Sequence, residues 1–241
     1  MAWFFQTEYK DNDQGTYYSP DMSAIPEEEE RFKAMGTALA NEIEAKWMAT
    51  GATPAERNRN SPDYPFFGSG EYPRLMHGWR YPLFEEPLRD QLMKPAGPLV
   101  DIIGSNFGTY ALSQKVIDII ESIEPGIHRY LPFELRQPDG SIHPDKRWLL
   151  NICTRAEVID TDRSNVGWLK PPSERWFGDL EGKKHLILKE TDVAGRALWC
   201  EWRYHTSPNA FASDQLWNAL HDAGIRGWGA HFSHPHHMAE A

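Results

Sequence analysis

The chain has 241 residues, of which 40% are apolar and 25% charged, with a formal net charge of −10 and two cysteines. That length supports a core without disulfide or metal staples. The negative charge argues against nonspecific binding to nucleic acid or to an anionic membrane, since both demand a basic surface.

The opening MAWFFQTEYKDNDQG lacks the basic start and apolar run of a signal peptide, and Pro, Gly or charge interrupts every apolar run. A cytoplasmic protein without a membrane span is therefore expected. In that setting Cys153 and Cys200, both in segments that read as strands, are buried thiols in preference to a disulfide. Ten tryptophans are many for this length. Most serve as core filling, with one or two left over as interface anchors.

Residues Trp3 to Tyr9 read as a strand. Pro26 then opens a helix whose first turn is Glu27, Glu28, Glu29 and Glu30, the sign of charge that a helix N-terminus favours. Phe32, Met35, Leu39, Ile43 and Trp47 follow at spacings of three or four, predicting one apolar stripe that ends near Gly51. From Pro54 to Pro98 there are eight prolines with aromatics between them, which forbids regular structure over most of that stretch. It reads as an extended connector laid over the core, interrupted by a short helix from Leu83 to Met93.

The second half is more regular. A brief apolar run from Leu99 to Ile103 ends at Gly104. Ser113 is placed to cap a helix carrying Val116, Ile117, Ile119, Ile120 and Ile123, with Leu112 positioned to staple against Ile117 and Pro125-Gly126 as terminator. Arg129 to Leu135 and Arg147 to Cys153 read as two strands of a hairpin whose loop contains Asp139-Gly140, and Val158-Ile159 extends the sheet. His185 to Lys189 is a further strand. In the next, Leu198, Cys200, Trp202 and Tyr204 occupy one face, with Glu201 and Arg203 on the other. Ser213 then caps a final helix with Leu216, Trp217 and Leu220 on its apolar side, broken at Gly224. The fold class expected is α+β: a mixed, mainly antiparallel sheet with flanking helices, preceded by a less regular N-terminal part with one long amphipathic helix. A boundary is expected at 98/99, dividing residues 1–98 from residues 99–241.

No segment carries a catalytic signature. His231, His234, His236 and His237 cluster as HFSHPHH, and neutral imidazoles at such spacing bind zinc, nickel or copper, which frames a metal-dependent hydrolase as an alternative using His234, His236 and His237. Pro235 interrupts that run, and no carboxylate or cysteine sits at a metal-site offset. Cys200 with His205 is the nearest nucleophile–base pair in sequence, but a thiol on an apolar strand face is ordinarily a packed one. The GSNFG stretch at 104–108 lacks both the dinucleotide fingerprint and the P-loop ending.

Taken in order, a serine-capped apolar helix, a hairpin ending in WLLNIC, an apolar strand, a final S-x-x-L-x-x-x-L helix and AGIRGWGAHF resemble the bacterial polymorphic-toxin immunity proteins of immunity family eleven. The resemblance covers roughly residues 99–232. It implies a cytosolic protein that protects its own cell by binding a cognate secreted toxin, such as a nuclease delivered by a type VI or contact-dependent route. No catalytic residue and no cofactor come with it. Leu112, Ser113, Ile117, Ile120, Ser213, Leu216, Leu220, Gly224 and Gly227 match its pattern and read as caps, core and turn. On charge alone, Glu27, Glu28, Glu29, Glu30 and Asp139 are the candidate toxin contacts. An adaptor of a secretion apparatus is the remaining alternative.

Overall fold

A five-stranded sheet separates two apolar cores in this protein. The computed structural model describes residues 2–4, 26–49, 75, 81, 83, 86–92, 98–105, 107–156, 158–164, 166–168, 176–178, 187–189, 194–201, 210–228 and 238–239. In chain order the described elements are β1 (Ala2–Phe4), α1 (Pro26–Ala49), β2 (Leu88–Gln91), β3 (Ile102–Gly104), β4 (Tyr110–Leu112), α2 (Gln114–Ile123), β5 (Arg129–Arg136) and β6 (Arg147–Asn151). They continue with β7 (Arg155–Ala156), β8 (Val166–Trp168), β9 (Trp176–Gly178), β10 (Leu188–Lys189), β11 (Leu198–Glu201), β12 (Ala210–Ser213), α3 (Asp214–Asp222) and β13 (Met238–Ala239).

The five-stranded sheet has the order β2-β5-β6-β4-β3, and a second sheet has the order β1-β12-β11-β7. Pairing is antiparallel within each except for β2 on β5 and β7 on β11. This is the α+β class expected, with two principal sheets where one was read. The five-stranded sheet draws β2 from one side of residue 98 and its other strands from the other side.

Successive residues of a strand point to opposite faces, and the two cores follow from that alternation. Leu131, Phe133, Leu135 and Leu149 face α1 and meet Phe32, Leu75, Tyr81 and Leu88. Leu150, Leu112 and Ile102 face the other way, onto Val116, Ile117 and Ile120 of α2, Leu216 and Leu220 of α3, and Leu198 and Cys200 of the second sheet. The neighbours Leu149 and Leu150 are both fully buried, one in each core.

α2 is rich in β-branched residues, which are weak helix formers. Burial of its apolar side is what holds it helical. Leu112 and Ile117 lie in one core, as the staple required. The hydroxyl of Ser113, at the N-cap position, makes no cap bond and donates instead to Asp101 Oδ1 at 2.9 Å. Ser213 is a true cap, accepting from the N–H of Leu216 at 3.2 Å. Beyond α3, Gly227 has φ +92, and a Cβ there would overlap the carbonyl oxygen of Ile102 and press on Val100. The backbone of Ile102 donates to Arg226 at 3.1 Å, so this turn closes directly onto β3. Trp217 of α3 and Trp228 pack with ring centroids 4.2 Å apart.

Several expectations are corrected. The predicted helix from Leu83 to Met93 is the strand β2: Leu88, Asp90 and Leu92 are buried while Arg89 and Gln91 are half-buried, a period of two. Local helix preference loses to the pairing of Leu88–Gln91 with Phe133–Arg136. Of the α1 stripe only Phe32 is buried; Met35, Leu39 and Ile43 are half-buried, and the side chain of Trp47 lies outside the described set. Glu201, expected on a polar face, is buried at 1% exposure because its carboxylate receives the N–H groups of Val158 at 2.8 Å and Ile159 at 3.3 Å. Val158 and Ile159 form no strand of either principal sheet, and Ile159 makes a single bridge to Leu188. The predicted first strand is observed over Ala2–Phe4, and residues 5–9 lie outside the described residues.

Candidate functional site

The start of α1 sets its acidic first turn against cations of the helix itself and of β2. Its acidic first turn complements the unpaired N–H groups of the helix start. The four glutamates do different jobs. Glu28 is buried at 8% exposure and is placed between Arg31, at 3.4 Å, and Arg89 of β2, at 3.7 Å. Arg89 also meets Glu134 of β5 at 3.0 Å, and that hydrogen-bonded carboxylate raises the guanidinium's pKa. Arg31 donates to the carbonyls of Pro87 at 2.9 Å and Glu86 at 3.3 Å. Glu28 therefore clamps α1 to the edge of the sheet and is withdrawn from any outside partner.

Glu29 and Glu30 are exposed and share Lys33, at 2.8 and 3.2 Å. Hydrogen bonds from that ammonium to the two carboxylates push its pKa up to about 12. Glu27 is exposed and has no ion pair among the described residues. Three of the four predicted acids thus face outward.

Asp139 stands on the β5–β6 turn, further along the same edge. Gln91, the last residue of β2, donates to the carbonyl of Gln137 at 3.0 Å, and Asp139 lies two residues beyond. From Glu134 to Gln137 is a run of about 10 Å at strand rise. Asp139 Oδ1 accepts from the hydroxyl of Ser141 at 2.6 Å and from its N–H at 2.9 Å. Those bonds, the hydroxyl first, hold the carboxyl below its usual pKa. Gly140 takes φ +86, a left-handed turn position that glycine occupies without strain.

A second polar cluster joins the two sheets. Glu124, at the C-cap of α2, has an oxygen that accepts from Ala197 N–H at 2.7 Å and Leu198 N–H at 3.3 Å, and lies 3.2 Å from His128 Nε2. The N–H of Cys153 donates to His128 Nδ1 at 3.3 Å, which places the ring proton on Nε2, pointing at Glu124. Burial would raise the pKa of Glu124, but the His128 bond and the two backbone bonds outweigh it and leave the pKa lowered. Beside it, the hydroxyl of Tyr130 donates to Glu121 at 2.8 Å, and burial together with that carboxylate drives the phenol's pKa up. Cys153 is half-buried, with its Sγ 3.3 Å from the carbonyl of Asn151, Cys200 is packed in the core, and neither is in a disulfide.

His234, His236 and His237 lie outside the described residues, as does His205. Among the described residues no three of His, Cys, Asp and Glu are grouped to hold a metal ion, and no helix is long and apolar enough to cross a membrane. The sequence does not pair Glu28 with Arg89, because 61 positions separate them and the segment holding Arg89 reads as helix. Glu124 and His128 stand four apart across a Pro-Gly break, a spacing that offers contact only once the chain's path out of α2 is known.

No curated protein matches the chain. The model of the Immunity protein family (Imm11) matches residues 26–232. That span begins with the first residue of α1 and takes in both cores, reaching well beyond the 99–232 stretch on which the resemblance rested. The chain belongs to the Imm11 immunity protein family.

Proposed function

We propose that this protein neutralises a cognate secreted toxin by stoichiometric binding, within the cytoplasm of the cell that makes both. Membership of an immunity family carries this reading. The outward carboxylates of α1 and the ordered Asp139 turn support it, because both stand along one sheet edge on a chain of net charge −10. An enzyme that acts on nucleic acid presents a basic face, and an acidic inhibitor covers such a face while steering encounter. The toxin is accordingly a cationic enzyme, with a nuclease delivered by type VI secretion as the type that fits best. Glu27, Glu29, Glu30 and Asp139 are the contacts assigned to it.

The test uses the polypeptide encoded beside this gene. Cells expressing both should survive where cells expressing the neighbour alone die, and the two purified chains should form a one-to-one complex. Death despite co-expression, with no complex formed, overturns the reading.

A further inference from the structure

The five-stranded sheet has β3 at one edge and β2 at the other, and the two edges are finished differently. At β3 the outward N–H of Ile102 is taken by the carbonyl of Arg226 at 3.1 Å. At β2 the phase of the strand decides which backbone groups look outward, because successive residues turn theirs to alternate sides. Leu92 N–H donates to Arg136 of β5 at 2.8 Å, so Leu88 and Asp90, in the same phase, also face β5. Pro87, Arg89 and Gln91 are in the other phase and turn away from the sheet. The Pro87 carbonyl accordingly accepts from the guanidinium of Arg31 on α1, at 2.9 Å.

The next outward groups, the N–H and C=O of Arg89 and of Gln91, have no hydrogen-bond partner among the described residues. The side chains of both are tied back onto the chain itself, Arg89 to Glu134 at 3.0 Å and Gln91 to the carbonyl of Gln137 at 3.0 Å. Unpaired groups along a strand edge are satisfied together by one kind of chain, an extended segment that adds a strand through main-chain hydrogen bonds.

Charge decides whose segment it is. Glu27, Glu29 and Glu30 are exposed on the first turns of α1, and the side chain of Glu86, just ahead of β2, is 77% exposed and 3.5 Å from Arg31. A second copy pairing through the same edge would set its own carboxylates against these, between chains of net charge −10, and is repelled. A segment carrying Lys or Arg is attracted. Resting on the toxin-binding reading above, we infer that the outer edge of β2 is the docking site, where an extended, cationic segment of the toxin joins the sheet as a further strand. That segment bonds to the main chain of Arg89 and Gln91, and its basic side chains meet the carboxylates of α1 and Glu86.

Amide-resolved hydrogen exchange of the full chain, alone and with the polypeptide encoded beside this gene, tests the assignment. Alone, the amides of Arg89 and Gln91 should exchange fast while those of Asp90 and Leu92 are protected. In the complex the two fast amides should slow by about a hundredfold or more. Gln91→Pro removes one outward donor at a position where an edge strand tolerates proline, and should weaken binding by about tenfold or more. Gln91→Ala keeps that donor and should bind as wild type does. Slow exchange of both amides in the dilute protein alone would mean that the edge is already covered, and overturns the inference. Protection that grows with the protein's own concentration makes a second copy the occupant and overturns it as well. A complex in which both amides stay fast overturns the docking site while the toxin-binding reading stands. If no complex forms, both fall.

Discussion

The carboxylate of Glu124 and the imidazole of His128 meet at 3.2 Å with side-chain exposures of 11% and 0%, at the point where α2, β5 and β11 converge. One oxygen of Glu124 thereby serves the side chain just ahead of β5 and two backbone N–H groups where β11 begins. Replacing Glu124 by alanine orphans all three donors. A loss of about 3 kcal/mol of unfolding free energy is expected, measurable by urea titration.

The same carboxylate should leave a mark on acid stability. Its folded-state pKa is lowered, so its contribution is complete above the unfolded value, near about 4.3, and is lost as pH falls through the lower folded value. Unfolding free energy of wild type should therefore drop below about pH 4.3 more steeply than that of Glu124→Gln. Parallel curves for the two proteins over that range would show that the carboxylate's charge is not what matters.

Two serines at helix starts should respond differently. Ser213→Ala removes a cap and should cost about 1 kcal/mol. Ser113→Ala removes a bond to Asp101, not a cap. Asp101→Ala should cost more than Ser113→Ala, because Asp101 also accepts from Arg226 N–H at 3.1 Å. Equal effects of those last two changes would place the value of the site in the hydroxyl.

Gly227 and Gly140 both have positive φ, yet only one is hemmed in. Gly140 has nothing within 4 Å of an added Cβ, so Gly140→Ala should cost about 1–2 kcal/mol from backbone strain alone. Gly227→Ala adds a collision with the backbone of Ile102 and should cost clearly more, about 3 kcal/mol or beyond. Thermal unfolding of the two variants separates strain from collision.

For the complex, association should slow steeply with salt, about tenfold between low and physiological ionic strength, while dissociation changes little. Glu27→Gln with Glu30→Gln should reduce the association rate and its salt dependence together. Stopped-flow mixing at several salt concentrations reads both.

How far the sequence discloses this fold depends on whether a signal is local. The hairpin of β5 and β6, the helices after Ser113 and Ser213 and the acidic opening of α1 all follow from spacing, cap residues and charge within one short window. β2 does not, because LRDQL carries helix propensity and only its parallel partner makes it a strand. Glu201 fails for a related reason: alternation distinguishes two faces but cannot say that both are covered. At the candidate site, exposure of Glu27 and Asp139 was within reach of charge and turn chemistry. Retirement of Glu28 into a clamp was not, since it depends on an arginine brought in from another element.

Leu149 and Leu150, adjacent and both fully buried, look into opposite cores. β6 is consequently a shared wall, and neither chamber can be dismantled while the other stays furnished. A shift of one position along this strand would send each lining into the opposite chamber, so the register of β6 is guarded from two sides.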